Sequence, residues 1–215
     1  MSLTLFYDLL KASAETLYMV VISTTLASAF GLPLGTLLFS SAKIKPHPLL
    51  NRCLSAFINF SRSIPFIILL VALIPLTRLI VGTSIGINAA IVPLTLGAIP
   101  FYARLVDNVY RNLPNGLIET GFSMGTTTWQ MIKFIFLPEA FPALIQATTI
   151  TAINLVNYSA MAGTVGGGGL GDLAIRYGYQ RFDAGVMIAT IIILVLLVQL
   201  LQMFGDYLVK RYSVF

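Results

Sequence analysis

Long apolar stretches separated by short polar ones run the length of this chain. Five of them, at 17–40, 63–81, 87–109, 140–161 and 184–209, each hold about 18–26 residues with almost no charge. At about 1.5 Å per residue, helices of that length cross a hydrocarbon layer roughly 30 Å thick. The pattern predicts an all-α membrane protein with five transmembrane helices. The first stretch is too long for the core of a secretion signal and carries Gly31, Pro33 and Gly35 inside it, so it reads as a retained span.

Residues 119–138, ETGFSMGTTTWQMIKFIFLP, interrupt the pattern between the third and fourth stretches. They read as part of a helix–turn–helix over about 114–138. Pro114 suits a first helical turn, where its missing N–H is not needed. Ile118 and Phe122, four apart, give that helix an apolar face. Gly125 fits the position just past the helix end, where the backbone must turn left-handed and a Cβ would clash. Thr127 and Gln130 then form a capping box. Trp129, Ile132 and Phe136 share a face of the second helix at spacings of three and four, and Pro138 closes the segment. Such a hairpin either connects two spans or docks a partner on its apolar face.

Composition agrees with a membrane protein: 57% of the 215 residues are hydrophobic and 10% charged, where soluble domains carry about 25% charge. The 13 Lys+Arg against 8 Asp+Glu mark cytoplasmic loops here rather than nucleic-acid binding. Lys43, Lys45, Arg52, Arg62, Arg104, Arg111, Lys133, Lys210 and Arg211 gather on one side. On the other, Lys11, Arg78, Arg176 and Arg181 are offset by Asp8, Glu15, Asp172 and Asp183. The N-terminus is therefore expected outside, with the C-terminus and the hairpin in the cytoplasm. Cys53 is the single cysteine, so neither an internal disulfide nor a cysteine metal cluster is expected. His47, between two prolines, has no ligand partners and reads as solvated.

Several motifs are informative by what they exclude. Gly166, Gly168 and Gly171 satisfy the dinucleotide fingerprint, but they follow a membrane span rather than a strand. They read as a glycine-rich bend at the outer end of the fourth span, serving either an irregular gate or close packing with Gly163 and Ala160. No phosphate-binding G-x-x-x-x-G-K-[ST] is present, so any ATP is hydrolysed on another polypeptide. No Gly-x-Ser-x-Gly is present either. The fourth span carries Gln146, Thr148, Thr149, Thr151, Asn154 and Asn157, a polar stripe that lines a path or joins helices. No charge is expected near the centre of any span, which disfavours proton coupling. Arg104 and Asp107, three apart, read as interfacial anchors.

The spacing Glu119, Gly125, Ile135, Leu137-Pro138 resembles the "EAA" loop of binding-protein-dependent ABC importer permeases, with Thr120 and Gly121 at the two small positions. RSIPFIILL (62–70), VGTSIGINAAIVPLTLGAIPF (81–101) and NYSAMAGTVGGGGLG (157–171) are similar to its methionine branch. The resemblance implies a type I ABC importer permease fold, one transmembrane domain over 1–215 with its core at about 12–209, and a coupling hairpin at about 114–138. It implies that Glu119, Gly125, Trp129, Ile135, Leu137 and Pro138 serve coupling. Asn157, Tyr158, Ser159, Met161, Gly166 and Gly168 would form the gate or substrate path. It further implies cytoplasmic ATPase subunits, an extracytoplasmic methionine-binding protein, a second copy of the chain and surrounding membrane lipid as partners, with no cofactor and no enzymatic activity in the chain itself. Another small amino acid as substrate, or ATPase-independent secondary transport, stands as the alternative.

Overall fold

The computed structural model describes residues 3–213, and within them the regular structure is helical. Helix α1 (Leu3–Lys43) leads into α2 (Pro48–Ser63), α3 (Phe66–Ala72), α4 (Ile74–Val81) and α5 (Ile87–Arg111). The hairpin helices α6 (Gly116–Ser123) and α7 (Thr128–Met131) follow. Then come α8 (Leu137–Gly163), the short α9 (Gly169–Leu173) and α10 (Ala184–Tyr212). Four helical stretches are long and apolar enough to span a membrane, five when α2 and α3 are taken as one bent span.

The core is built on α1 against α5. A Cβ on Gly31 would stand 3.0 Å from the Ile99 carbonyl oxygen, and one on Gly35 would strike the Ala103 carbonyl oxygen and the Val106 side chain. These two small residues let the backbones close to contact, the device membrane helices use where lipid supplies no hydrophobic drive. Pro33 lies between them inside α1 without ending it. α8 packs on the same pair through Leu155, Val156 and Ala162. α10 is exposed around most of its girth, with Ile188, Ile192, Leu196, Leu200 and Phe204 all uncovered. Where it meets α8, Gly205 lies against Thr149.

The second span departs from the expected continuous helix at 63–81. The helix ahead of it, α2, starts at Pro48 and meets α3 at 98°. Pro65 forces Ile64 into an extended conformation (φ −79°, ψ 124°), as the residue before a proline prefers. A second break at Leu73 precedes Pro75 in the first turn of α4. The bent span nevertheless advances steadily along α5. Asn59 meets Arg104 at 2.7 Å, Arg62 lies over Phe101, Phe66 and Leu69 border Gly97, and Leu70 and Ile74 face Ala89 and Pro93.

Candidate functional site: a helical hairpin and a glycine-rich segment

The hairpin turns where the glycine predicts. Gly125 has φ +66°. Its N–H donates to the Phe122 carbonyl (2.9 Å) and the Thr126 N–H to the Gly121 carbonyl (3.1 Å), the paired bonds of a Schellman ending. Thr127 and Gln130 form the reciprocal capping box. Gly121 is buried, and a Cβ there would come 2.6 Å from the Met131 methyl; the small position after Glu119 is where the two hairpin helices touch. Pro114 does not enter the helix: α6 starts at Gly116, and the Pro114 carbonyl accepts from the Leu117 N–H at 3.1 Å.

Pro138 does not close the segment. The second hairpin helix runs into the fourth span as one 36-residue rod, Thr128–Gly163. Residues Ile132–Phe136 adopt a π-helical turn, in which the Leu137 N–H reaches back five residues to the Ile132 carbonyl. Pro138 has no N–H to give and its ring needs room one turn back, which the wider turn supplies. The extra residue per turn also breaks the expected Trp129–Ile132–Phe136 face. Trp129 is 68% exposed, whereas Phe136 is buried, its ring 5.1 Å from that of Phe39 and 5.9 Å from that of Tyr110.

The two ends of the hairpin therefore differ in character. At the tip, Glu119, Phe122, Met124 and Trp129 are exposed, and Glu119 makes no hydrogen bond or ion pair among the described residues. At the base, Met131, Ile135, Phe136 and Leu137 pack on Phe39, Tyr110 and their neighbours from α1 and α5. A groove of about 520 Å³ separates this helix from α1, lined by Pro33, Thr36, Tyr110, Trp129, Ile132 and Lys133. Sequence reasoning missed Phe39 and Tyr110 as the seat, because both sit in stretches apolar enough to face lipid equally well.

Above the hairpin base, Asp107 is fully buried and holds two cations. Arg104 reaches one carboxylate oxygen at 3.1 Å and Arg111 the other at 2.9 Å. Arg104 also donates to Ser55 (3.0 Å) and Asn59 (2.7 Å) on α2. The expected Arg104–Asp107 anchor is paired, and through Arg104 it also ties α2 to α5.

At the other end of the spans, Gly166, Gly168 and Gly169 all have positive φ. The Gly166 carbonyl accepts from the Gly86 N–H at 2.9 Å. Gly163 and Gly171 make close backbone approaches, Gly171 to Ala160 and Gly163 to the Gly171–Asp172 peptide. From α1, the Glu15 carboxylate accepts from the Gly169 N–H (3.0 Å) and the Thr16 hydroxyl from the Leu170 N–H (2.9 Å). Nearby, Asp172 accepts from Arg176 Nε at 2.8 Å, a bond that raises the Arg176 pKa. Tyr158 stacks on Phe66 and Ser159 is buried, its hydroxyl on the Val156 carbonyl. Asn157 and Met161 are exposed. Of the polar stripe, Gln146 and Asn157 are exposed, Thr149 sits against Gly205, and Thr151 is buried on the Ala147 carbonyl. Among the described residues no cluster of His, Cys, Asp or Glu is arranged to hold a metal.

Comparison with known proteins agrees with this arrangement. Residues 13–214 match the family model described as binding-protein-dependent transport system inner membrane component. A probable D-methionine transport system permease protein MetI from Vibrio cholerae is 53% identical over 205 residues, covering 94% of this chain and 91% of the relative. The D-methionine transport system permease protein MetI of Escherichia coli is 50% identical over 165 residues, 76% of each chain. A solved structure of inward-facing conformations of the MetNI methionine ABC transporter superposes with a TM-score of 0.94 at 48% identity, covering 99% of both chains. An amino acid ABC transporter solved with histidines shares the fold at a TM-score of 0.78 and 19% identity. The chain belongs to the family of inner membrane components of binding-protein-dependent transport systems.

Proposed function

We propose that this chain is the permease subunit of an ATP-driven methionine importer in a bacterial inner membrane. It works as a homodimer with two cytoplasmic ATPase subunits and an extracytoplasmic methionine-binding protein. The N-terminus lies outside and the hairpin in the cytoplasm, the orientation that its basic loops favour. The observation that carries the coupling reading is the division of the hairpin into an exposed tip around Glu119 and a base packed on α1 and α5. The capped turn at Gly125 and the continuous rod from Thr128 to Gly163 make it stiff. A push on the tip by a closing ATPase therefore reaches the outer end of the fourth span, where Asn157–Gly168 would open or close the path. The substrate follows from the MetI relatives and the MetNI structure named above.

The test is reconstitution of the chain with its ATPase in liposomes, with the binding protein and labelled methionine outside. Uptake that requires ATP and the loaded binding protein is expected. Uptake driven by an ion gradient without the ATPase would replace this reading with secondary transport. ATP-dependent uptake of a different amino acid would keep the importer and change the substrate.

A further inference from the structure

Arg62 stands where a membrane protein rarely leaves a bare charge. Its Cζ lies 5.8 Å from the centroid of the Phe101 ring. Phe101 is about 21 Å from the start of α5 and about 15 Å from its end, at about 1.5 Å per residue. The guanidinium thus lies beside the middle of α5. Arg104, next along α5, is tied to Asp107, Ser55 and Asn59. Arg62 is exposed on the chain and has neither a carboxylate nor a hydrogen-bond acceptor among the described residues. Arginine does not shed its proton, so it cannot escape the cost by neutralising.

A fixed cation at that depth faces water or a counter-ion rather than acyl chains. The neighbouring surface is suited to a path. Arg62 precedes the bend at Pro65, and just past the bend Phe66 stacks on Tyr158 of α8. Asn157, next to Tyr158, is exposed with an unpaired amide, as is Gln146 further along α8. A cation and neutral amides are thus carried by two elements that meet at that stack.

We propose that Arg62 lines the translocation path and binds the α-carboxylate of the amino acid passing through it. This rests on the importer reading above. The planar fork of donors matches a carboxylate bidentately. Arg62 then recognises the part common to all amino acids, and side-chain selection lies elsewhere.

The test uses the complete complex in liposomes with labelled methionine. Arg62→Gln is expected to lower methionine moved per ATP hydrolysed at least about tenfold, the scale of a lost charge-assisted contact. In a Cys53→Ser background, where no other thiol remains on this chain, and with partner subunits free of cysteine, Arg62→Cys is expected to lose uptake. Aminoethyl methanethiosulfonate, which restores a cation, should recover it, and the sulfonatoethyl reagent should not. Equal transport per ATP by Arg62→Gln and the unaltered chain overturns the proposal alone, as does recovery with both reagents or with neither. Dissociation of the permease pair in Arg62→Gln would assign the cation to the contact between copies and also overturn it. Failure of the unaltered complex to move methionine instead overturns the importer reading beneath it.

Discussion

The rings of Phe66 and Tyr158 lie face to face, 4.3 Å between centroids and 1° between planes. Phe66 is the first residue of α3 after Pro65, so the stack pins the bend of the second span to α8. The contact uses the ring face, and no hydrogen bond to the Tyr158 hydroxyl is found among the described residues. Tyr158→Phe should therefore be close to neutral in thermal unfolding of the detergent-solubilised protein. Phe66→Ala and Tyr158→Ala should each destabilise, with a coupling of about 0.5–1.5 kcal/mol in a double-mutant cycle. Additive losses would mean that the two rings merely adjoin.

Asp107 is the only carboxylate between Arg104 and Arg111, and its side chain is fully buried. Removing it leaves two guanidinium groups without their shared partner. Asp107→Ala should cost about 3–5 kcal/mol, the range for breaking a buried pair from one side. Arg111, about a third exposed, can turn toward solvent, so Arg111→Ala should cost much less. The comparison is made by thermal unfolding of the purified variants, and equal losses would contradict the asymmetry.

At Gly125 the backbone is left-handed, and nothing lies within 4 Å of where a Cβ would stand. Any penalty there comes from the backbone alone, about 1–2 kcal/mol for a β-branched side chain. Gly125→Val should straighten or fray the turn and uncouple ATP-driven uptake while membrane insertion remains. Gly125→Asn, which tolerates this conformation, should keep most uptake. Normal uptake by Gly125→Val at matched expression would contradict the coupling role.

What the sequence made legible is local. The turn at Gly125 and the Thr127–Gln130 box depend on residues three or four apart, and both formed as read. The helix α2 ahead of the second apolar stretch was not read because Asn51, Arg52, Ser55, Asn59 and Arg62 dilute its apolar character. Asn51, Ser55 and Asn59 find partners only in three dimensions, Asn51 on the Leu38 carbonyl and Ser55 and Asn59 on Arg104. The Trp129–Phe136 face failed because helical spacing assumes 3.6 residues per turn, and the π-helical turn ahead of Pro138 does not keep it. Nothing in the sequence signalled this contact of Glu15 and Thr16. Their partners lie 154 residues away in sequence, and only the packing of α1 on the glycine segment brings them together.

That packing gives the last prediction. The first amides of α9 have no partner within their own helix, as at any helix start, and Thr16 and Glu15 reach across from α1 to accept from them. Thr16 is 1% exposed and Leu170 0%, so water cannot replace the hydroxyl there. Thr16→Val keeps the shape and removes the acceptor, leaving the Leu170 N–H buried and unpaired. The expected cost is about 1–3 kcal/mol, confined to the outer segment. Hydrogen exchange at Leu170 should therefore speed up by roughly five- to a hundredfold, while amides in the middle of α5 stay as they were. Thr16→Ser, which keeps the hydroxyl, should protect Leu170 nearly as well as threonine does. Faster exchange throughout α5 and α8 in Thr16→Val would mean that the bond supports the whole bundle rather than the glycine segment alone.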